Sequence, residues 1–159
     1  RRACVGYGSP GRIVVRPRAG GLGQSGDALE TMRGQIAAAK QFGAAGIVLG
    51  LLRENRTIDE DATRELVGLS RPLSVTFHKA FDATRDPFEA LDDLIELGID
   101  RVLTSGQAPT AMAGLNTIVE LTRRAAGRIA IMAGGSITLD QVGPIVGAGV
   151  QEIHPGTAA

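Results

Sequence analysis

The chain has 159 residues, 43% of them hydrophobic, enough for one domain with a substantial core, and its 17 basic and 17 acidic residues balance. No block of like charge appears, which removes the electrostatic case for nucleic acid or an anionic membrane surface as partner, and no run of about 18 apolar residues could form a membrane helix. A lone cysteine, Cys4, excludes an intrachain disulfide framework and suits a reducing, cytoplasmic compartment.

Short aliphatic or β-branched runs alternate with amphipathic helical segments along the chain. Ile13 to Arg16 reads as a strand, and Ala28 to Gln41 as a helix with Leu29, Met32, Ile36 and Ala39 on one face and Gly43 as its stop. Gly46 to Leu51 is a second strand, and Asp59 caps a helix carrying Ala62, Leu66 and Leu69. Leu73 to His78 is a third strand. Asp86 then supplies an N-cap, Pro87 the first helical position and Glu89 the third residue of a capping box, and the helix carries Phe88, Leu91, Leu94 and Ile95 up to Gly98. Arg101 to Thr104 is a fourth strand, followed by a helix with Leu115, Ile118, Val119 and Leu121 that ends at Gly127. Ile129 to Ala133, a helix over Leu139 to Val146, and a strand over Val150 to His154 complete the series. Strand–helix alternation with near-continuously apolar strands predicts a parallel sheet covered by helices, in one domain spanning 1–159. Either an open doubly wound sheet or part of a (β/α)8 barrel fits. About six βα units fall short of the eight that a closed barrel needs.

Polar residues fall repeatedly just after the strands, where parallel α/β folds gather ligands. Arg16 and Arg18 flank Pro17 and can clamp an oxyanion. His78 titrates near neutrality, and Asp82, four residues on, can orient it, so the two are candidates for acid–base catalysis. Thr104, Ser105 and Gln107 follow the next strand. Ser105 lacks a histidine at a spacing that would activate it. Lys79 alternates away from His78 on the strand, which argues against a Schiff-base role. Met132-Ala133-Gly134-Gly135-Ser136 leads from a strand into a helix, and its glycines let backbone N–H groups approach a phosphate or carboxylate. His154 and Thr157 end the series. Soft Cu(I) prefers thiolate and thioether ligands, and Cys4 with the scattered Met32, Met112 and Met132 gives little support for a copper site.

Val75-Thr76-Phe77-His78-Lys79-Ala80-Phe81-Asp82, Arg101-Val102-Leu103-Thr104-Ser105-Gly106-Gln107-Ala108 and Ile131-Met132-Ala133-Gly134-Gly135 closely resemble the CutC family, named for copper homeostasis. Arg16-Pro17-Arg18, Gly46-Ile47-Val48-Leu49-Gly50 and Glu152-Ile153-His154 follow the same pattern, so the likeness runs from about Ile13 to the C-terminus. The resemblance implies a partial TIM barrel whose pocket is lined by Arg16, Arg18, His78, Asp82, Ser105 and the Gly134-Gly135 turn. It also implies a relation to copper, as cofactor or cargo. The family usually opens with two further βα units that carry a glutamate and cysteines; the segment before Ile13, Cys4 included, does not match them, so the domain reads as incomplete at its N-terminus and copper ligation is not carried over. Ala133 stands in place of the family's usual proline, and Ser136 in place of a third glycine. A closed barrel stripped of two strands has two open edges, and either association with a further copy or a longer reading frame is expected. Three functions stay open: a cytosolic copper-homeostasis protein, an enzyme acting on a phosphorylated or carboxylated small molecule through His78 and Asp82, and an inactive truncated scaffold.

Overall fold

β-Branched and aliphatic residues fit a pleated, half-buried surface, and each such run forms a strand. The computed structural model describes residues 11–16 and 26–155. Six strands, β1 (Arg12–Val14), β2 (Gly46–Leu49), β3 (Ser74–Phe77), β4 (Arg101–Thr104), β5 (Ala130–Gly134) and β6 (Glu152–His154), pair in parallel and in chain order. The connections carry α1 (Gly26–Gln41), α2 (Glu60–Ser70), α3 (Pro87–Glu96), α4 (Leu115–Ala125) and α5 (Leu139–Gly147). A doubly wound sheet reverses its strand order at a switch point, whereas this order never reverses. The result is a curled half-barrel.

The two faces of the sheet are unequal. Ile47, Leu49, Val75, Phe77, Val102, Ile131 and Ala133 point outward and are buried against Met32, Ile36, Leu66, Leu91, Leu94, Ile118 and Leu121. Alternate residues on the concave side, such as Val48, Leu103 and Met132, are only half-buried. Low on this concave side, Arg101 of β4 reaches over Ala130 of β5 and donates two hydrogen bonds to Glu152 of β6, one of them 2.8 Å long. That pairing, with Arg12 adding its charge, holds the Glu152 carboxyl below its ordinary pKa.

Local signals set the helix starts. Asp59 accepts from the Ala62 amide at 3.2 Å, and Asp86 from the Phe88 and Glu89 amides at 2.8 and 3.1 Å, with Pro87 in the first turn. Glu89 does not complete the capping box. Its carboxylate is taken by Arg85, at 2.6 and 2.9 Å. The predicted elements are all present with shifts of one or two residues at their ends, and Leu69, placed on an apolar stripe, is 42% exposed. One element escaped the sequence pattern: a short 3₁₀ helix, Lys79–Ala83, between β3 and α3. Among the described residues no helix is long and apolar enough to cross a membrane.

Candidate functional site

The carboxyl ends of β3, β4 and β5 meet around Asp82. Its side chain is 14% exposed, and one oxygen accepts from the Thr104 hydroxyl at 2.5 Å and the Gln107 amide at 3.0 Å. The Ser105 amide is shared by both oxygens, at 3.1 and 3.0 Å. A carboxylate held by this many donors welds the β3 exit to the β4 loop. Gln107 adds to the weld by donating through Nε2 to the Thr84 carbonyl at 2.7 Å.

Lys79 belongs to this cluster, against the expectation that it turns away. The strand ends at Phe77, and in the 3₁₀ helix that follows residues i and i+3 eclipse, so Lys79 lies above Asp82 with Nζ 3.4 Å from its carboxylate. The ammonium also donates to Ser105 Oγ at 3.0 Å. Ser105 Oγ lies 2.9 Å from Asp82 and 2.7 Å from the Ala108 carbonyl; its single proton serves one of them while it accepts from Lys79. This hydroxyl is a bridge rather than an activated nucleophile. The Lys79 side chain stays 44% exposed. Gly135 lies beside it with φ +129°, and a Cβ there would stand 3.1 Å from Lys79 Nζ and 3.1 Å from Ser105 Cβ. Only glycine gives the β5 turn both that backbone and that close approach.

His78 occupies a neighbouring position and is not hydrogen-bonded to Asp82. Its Nδ1 accepts from the Ala80 amide at 3.1 Å, capping the 3₁₀ helix. Its ring lies across Gly50, where a Cβ would come within 2.4 Å of Cε1. Burial lowers its pKa below the ordinary histidine value, outweighing a hydrogen bond to its own backbone that raises it, and the Arg16 charge adds to the lowering. Arg16, at the end of β1, is exposed and donates its backbone N–H to Gln35 Oε1 at 3.1 Å. His154 is exposed on β6 in register with Gly134. Arg18, Thr157 and Cys4 lie outside the described residues.

The structure therefore brings Lys79, Asp82, Ser105 and Gly135 into one cluster, sets His78 with Arg16 nearby, and leaves His154 on the rim. Among the described residues no three of His, Cys, Asp or Glu come together to hold a metal ion. The described donors are hard oxygen and separated imidazoles, which do not fit the thiolate and thioether preference of Cu(I).

Comparison with known proteins places this geometry. A model described as the CutC family matches residues 7–159. A CutC family protein of Glaesserella parasuis serovar 5 is 44% identical over 146 residues, 91% of this chain and 60% of the relative. The copper homeostasis protein cutC homolog of Mus musculus is 45% identical over 143 residues, 89% of this chain and 53% of the relative. The chain thus spans little more than half the length of these curated relatives. Among solved structures, the copper homeostasis protein CutC of Streptococcus agalactiae superposes with a TM-score of 0.85 at 30% identity, covering 91% of this chain and 71% of that one. A structure described as an aldolase, QR15, gives a TM-score of 0.72 at 20% identity, with 94% and 69% coverage, and shares the fold.

Proposed function

The chain belongs to the CutC family, and from that premise we propose that the carboxyl-end crevice of its half-barrel binds a small carboxylated or phosphorylated molecule, within a cytoplasmic protein connected to copper homeostasis. The observation that carries the reading is the Lys79 ammonium, held by Ser105 and Asp82 beside the Gly135 turn on a side chain that remains 44% exposed. A fixed cation next to a glycine turn that leads into α5 combines point charge with backbone donors, the combination that holds carboxylate and phosphate oxygens. Arg16 and His154 supply the rim in this reading, and His78 adds a further contact; Arg18 lies outside the described residues. Asp82 acts through Lys79 and the β4 loop: its oxygens are occupied by protein donors.

The relatives' names connect the family with copper, and copper contact is the second reading. The described residues offer no cluster of His, Cys, Asp or Glu that could hold the metal.

Calorimetry of this chain with inorganic phosphate and with pyruvate tests the first reading. Binding is expected for at least one of them, weakened about tenfold or more in Lys79→Met, because one charge-assisted contact is lost. Full binding by Lys79→Met overturns it. Stoichiometric Cu(I) binding that is abolished in Cys4→Ser supports the copper reading, and binding of neither class supports an inactive scaffold.

A further inference from the structure

We infer that His78 works as a locked hydrogen-bond donor, presenting Nε2–H to an oxygen of the bound molecule, and not as the base of an acid–base pair with Asp82. The inference rests on the proposed anion site and names how one residue of that site reads its ligand: by offering a proton-bearing nitrogen to a carbonyl oxygen or an oxyanion.

Three features hold the ring. The His78 amide donates to the Leu49 carbonyl at 2.8 Å, extending the β2–β3 ladder by one residue, and its carbonyl accepts from the Phe81 amide at 3.1 Å. The backbone is therefore pinned on both sides. Gly50 offers the ring a flat bed, since any side chain there would collide with Cε1 and Nδ1. The Ala80 amide points at Nδ1. A backbone N–H is a permanent donor, so the nitrogen it meets must be the acceptor, and the single proton of a neutral imidazole must sit on Nε2.

The consequence is chemical. To act as a base, His78 would have to take a proton at Nδ1, the nitrogen already filled by Ala80, while Nε2 carries its own. Asp82, which would have to steady the resulting imidazolium, is committed to Thr104, Ser105, Gln107 and Lys79. Half-burial of the ring favours the neutral form and outweighs the opposing hydrogen bond to His78's own backbone, and the nearby Arg16 adds to the lowering. Nε2–H meets no protein acceptor among the described residues, which leaves it for a ligand oxygen. A neutral imidazole donor polarises such an oxygen without placing a second full charge beside Lys79.

The test separates the lock from its use. The chain has only two histidines, so long-range ¹H–¹⁵N spectra of uniformly labelled protein, with His78→Gln for assignment, read the tautomer directly. A protonated Nε2 and a bare Nδ1 are expected from about pH 8 to about pH 7. A protonated Nδ1, or an imidazolium at about pH 7, overturns the inference. Phosphate or pyruvate is then titrated in. The His78 Nε2 resonance is expected to move and saturate with the calorimetric affinity. His78→Gln, which can place an amide N–H near the Nε2 position, is expected to bind within about threefold of wild type. His78→Asn, which can cap Ala80 but cannot reach the ligand, is expected to lose about tenfold. Binding with an unmoved Nε2 signal and equal affinity in both variants refutes the donor role while the anion site stands. No binding of either probe refutes the anion site and the donor role together, and the tautomer spectrum still decides the lock.

Discussion

The centre of the sheet and its two flanks are built from similar strands and held in different ways. At the centre, β3 and β4 end in a cluster where one carboxylate meets the donors of three residues of the β4 loop, and the outward side chains Val75, Phe77 and Val102 are fully buried. At the flanks, β1 and β6 each have one strand neighbour among the described residues, Ile13 and Val14 are 37% and 55% exposed, and His154 is exposed. The difference divides the candidate site. Lys79, Asp82, Ser105, Gly135 and His78 are positioned by interactions that the chain itself supplies, while Arg16, just past β1, and His154 on β6 belong to strands with one neighbour each among the described residues. A half-barrel can thus assemble the reactive centre of a site and still leave its rim unset.

The greatest change should follow loss of the central carboxylate. Asp82→Ala leaves the buried Thr104 hydroxyl and Ser105 amide without their acceptor and frees Lys79. Denaturant unfolding is expected to show a loss of about 3 kcal/mol, with Asp82→Asn losing less because one acceptor oxygen remains. Parallel measurement of phosphate or pyruvate binding should show that the Ala variant has also lost affinity, although Asp82 itself does not face the ligand. If stability is unchanged, the weld between the loops does not exist and centre and flank are held alike.

Much of this division was legible in the sequence because it rests on local signals. The Asp86-Pro87 start of α3, the Asp59 cap of α2, and the glycines after α1, α3 and α4 act within a few residues, and they gave strands and helices their places. Two features were not legible. Alternation along β3 was carried one residue too far, so Lys79 was sent to the wrong side; the chain leaves the strand at Phe77 and turns into a 3₁₀ helix. The spacing of Lys79 and Asp82, three apart, was the available sign. The other partners of Asp82 lie 22 to 25 positions away, and no local pattern announces them. The His78–Asp82 pairing drawn from their nearness in sequence is replaced by two separate local arrangements. Barrel rather than doubly wound sheet was also undecided by periodicity, because both alternate strand and helix; the strand order decides it.

An intermediate effect is expected at the flank. A parallel edge with no partner among the described residues and with exposed Ile13 and Val14 is a template for another chain. This 159-residue chain is expected to self-associate at micromolar concentration, as analytical ultracentrifugation would show. The double substitution Ile13→Lys and Val14→Lys should shift it towards monomer while leaving the far-ultraviolet circular dichroism unchanged. A monodisperse monomer in the parent chain, melting cooperatively, would mean that the flank needs no cover and that the two regions are equally self-sufficient.

The smallest expected effect is a pH dependence, and its sign separates the regions. Burial holds the His78 pKa below its unfolded value of about 6.5, so between the folded and unfolded pKa values the unfolded chain binds more protons. Stability is therefore complete above about pH 6.5 and falls as pH drops through that window. The carboxylates depressed by exposed arginine pairs, Glu65, Glu89 and Glu120, lose their contribution only at lower pH, beneath the ordinary glutamate value. Unfolding midpoints taken from about pH 8 to about pH 5.5 thus sample His78 ahead of the surface pairs. Wild type is expected to soften on acidification and His78→Gln to give a flatter profile. Equal slopes in the two proteins would place the histidine in solvent-like surroundings. The ring could not then be held as its contacts with Gly50 and Ala80 require, since those contacts are what keep the imidazole from water.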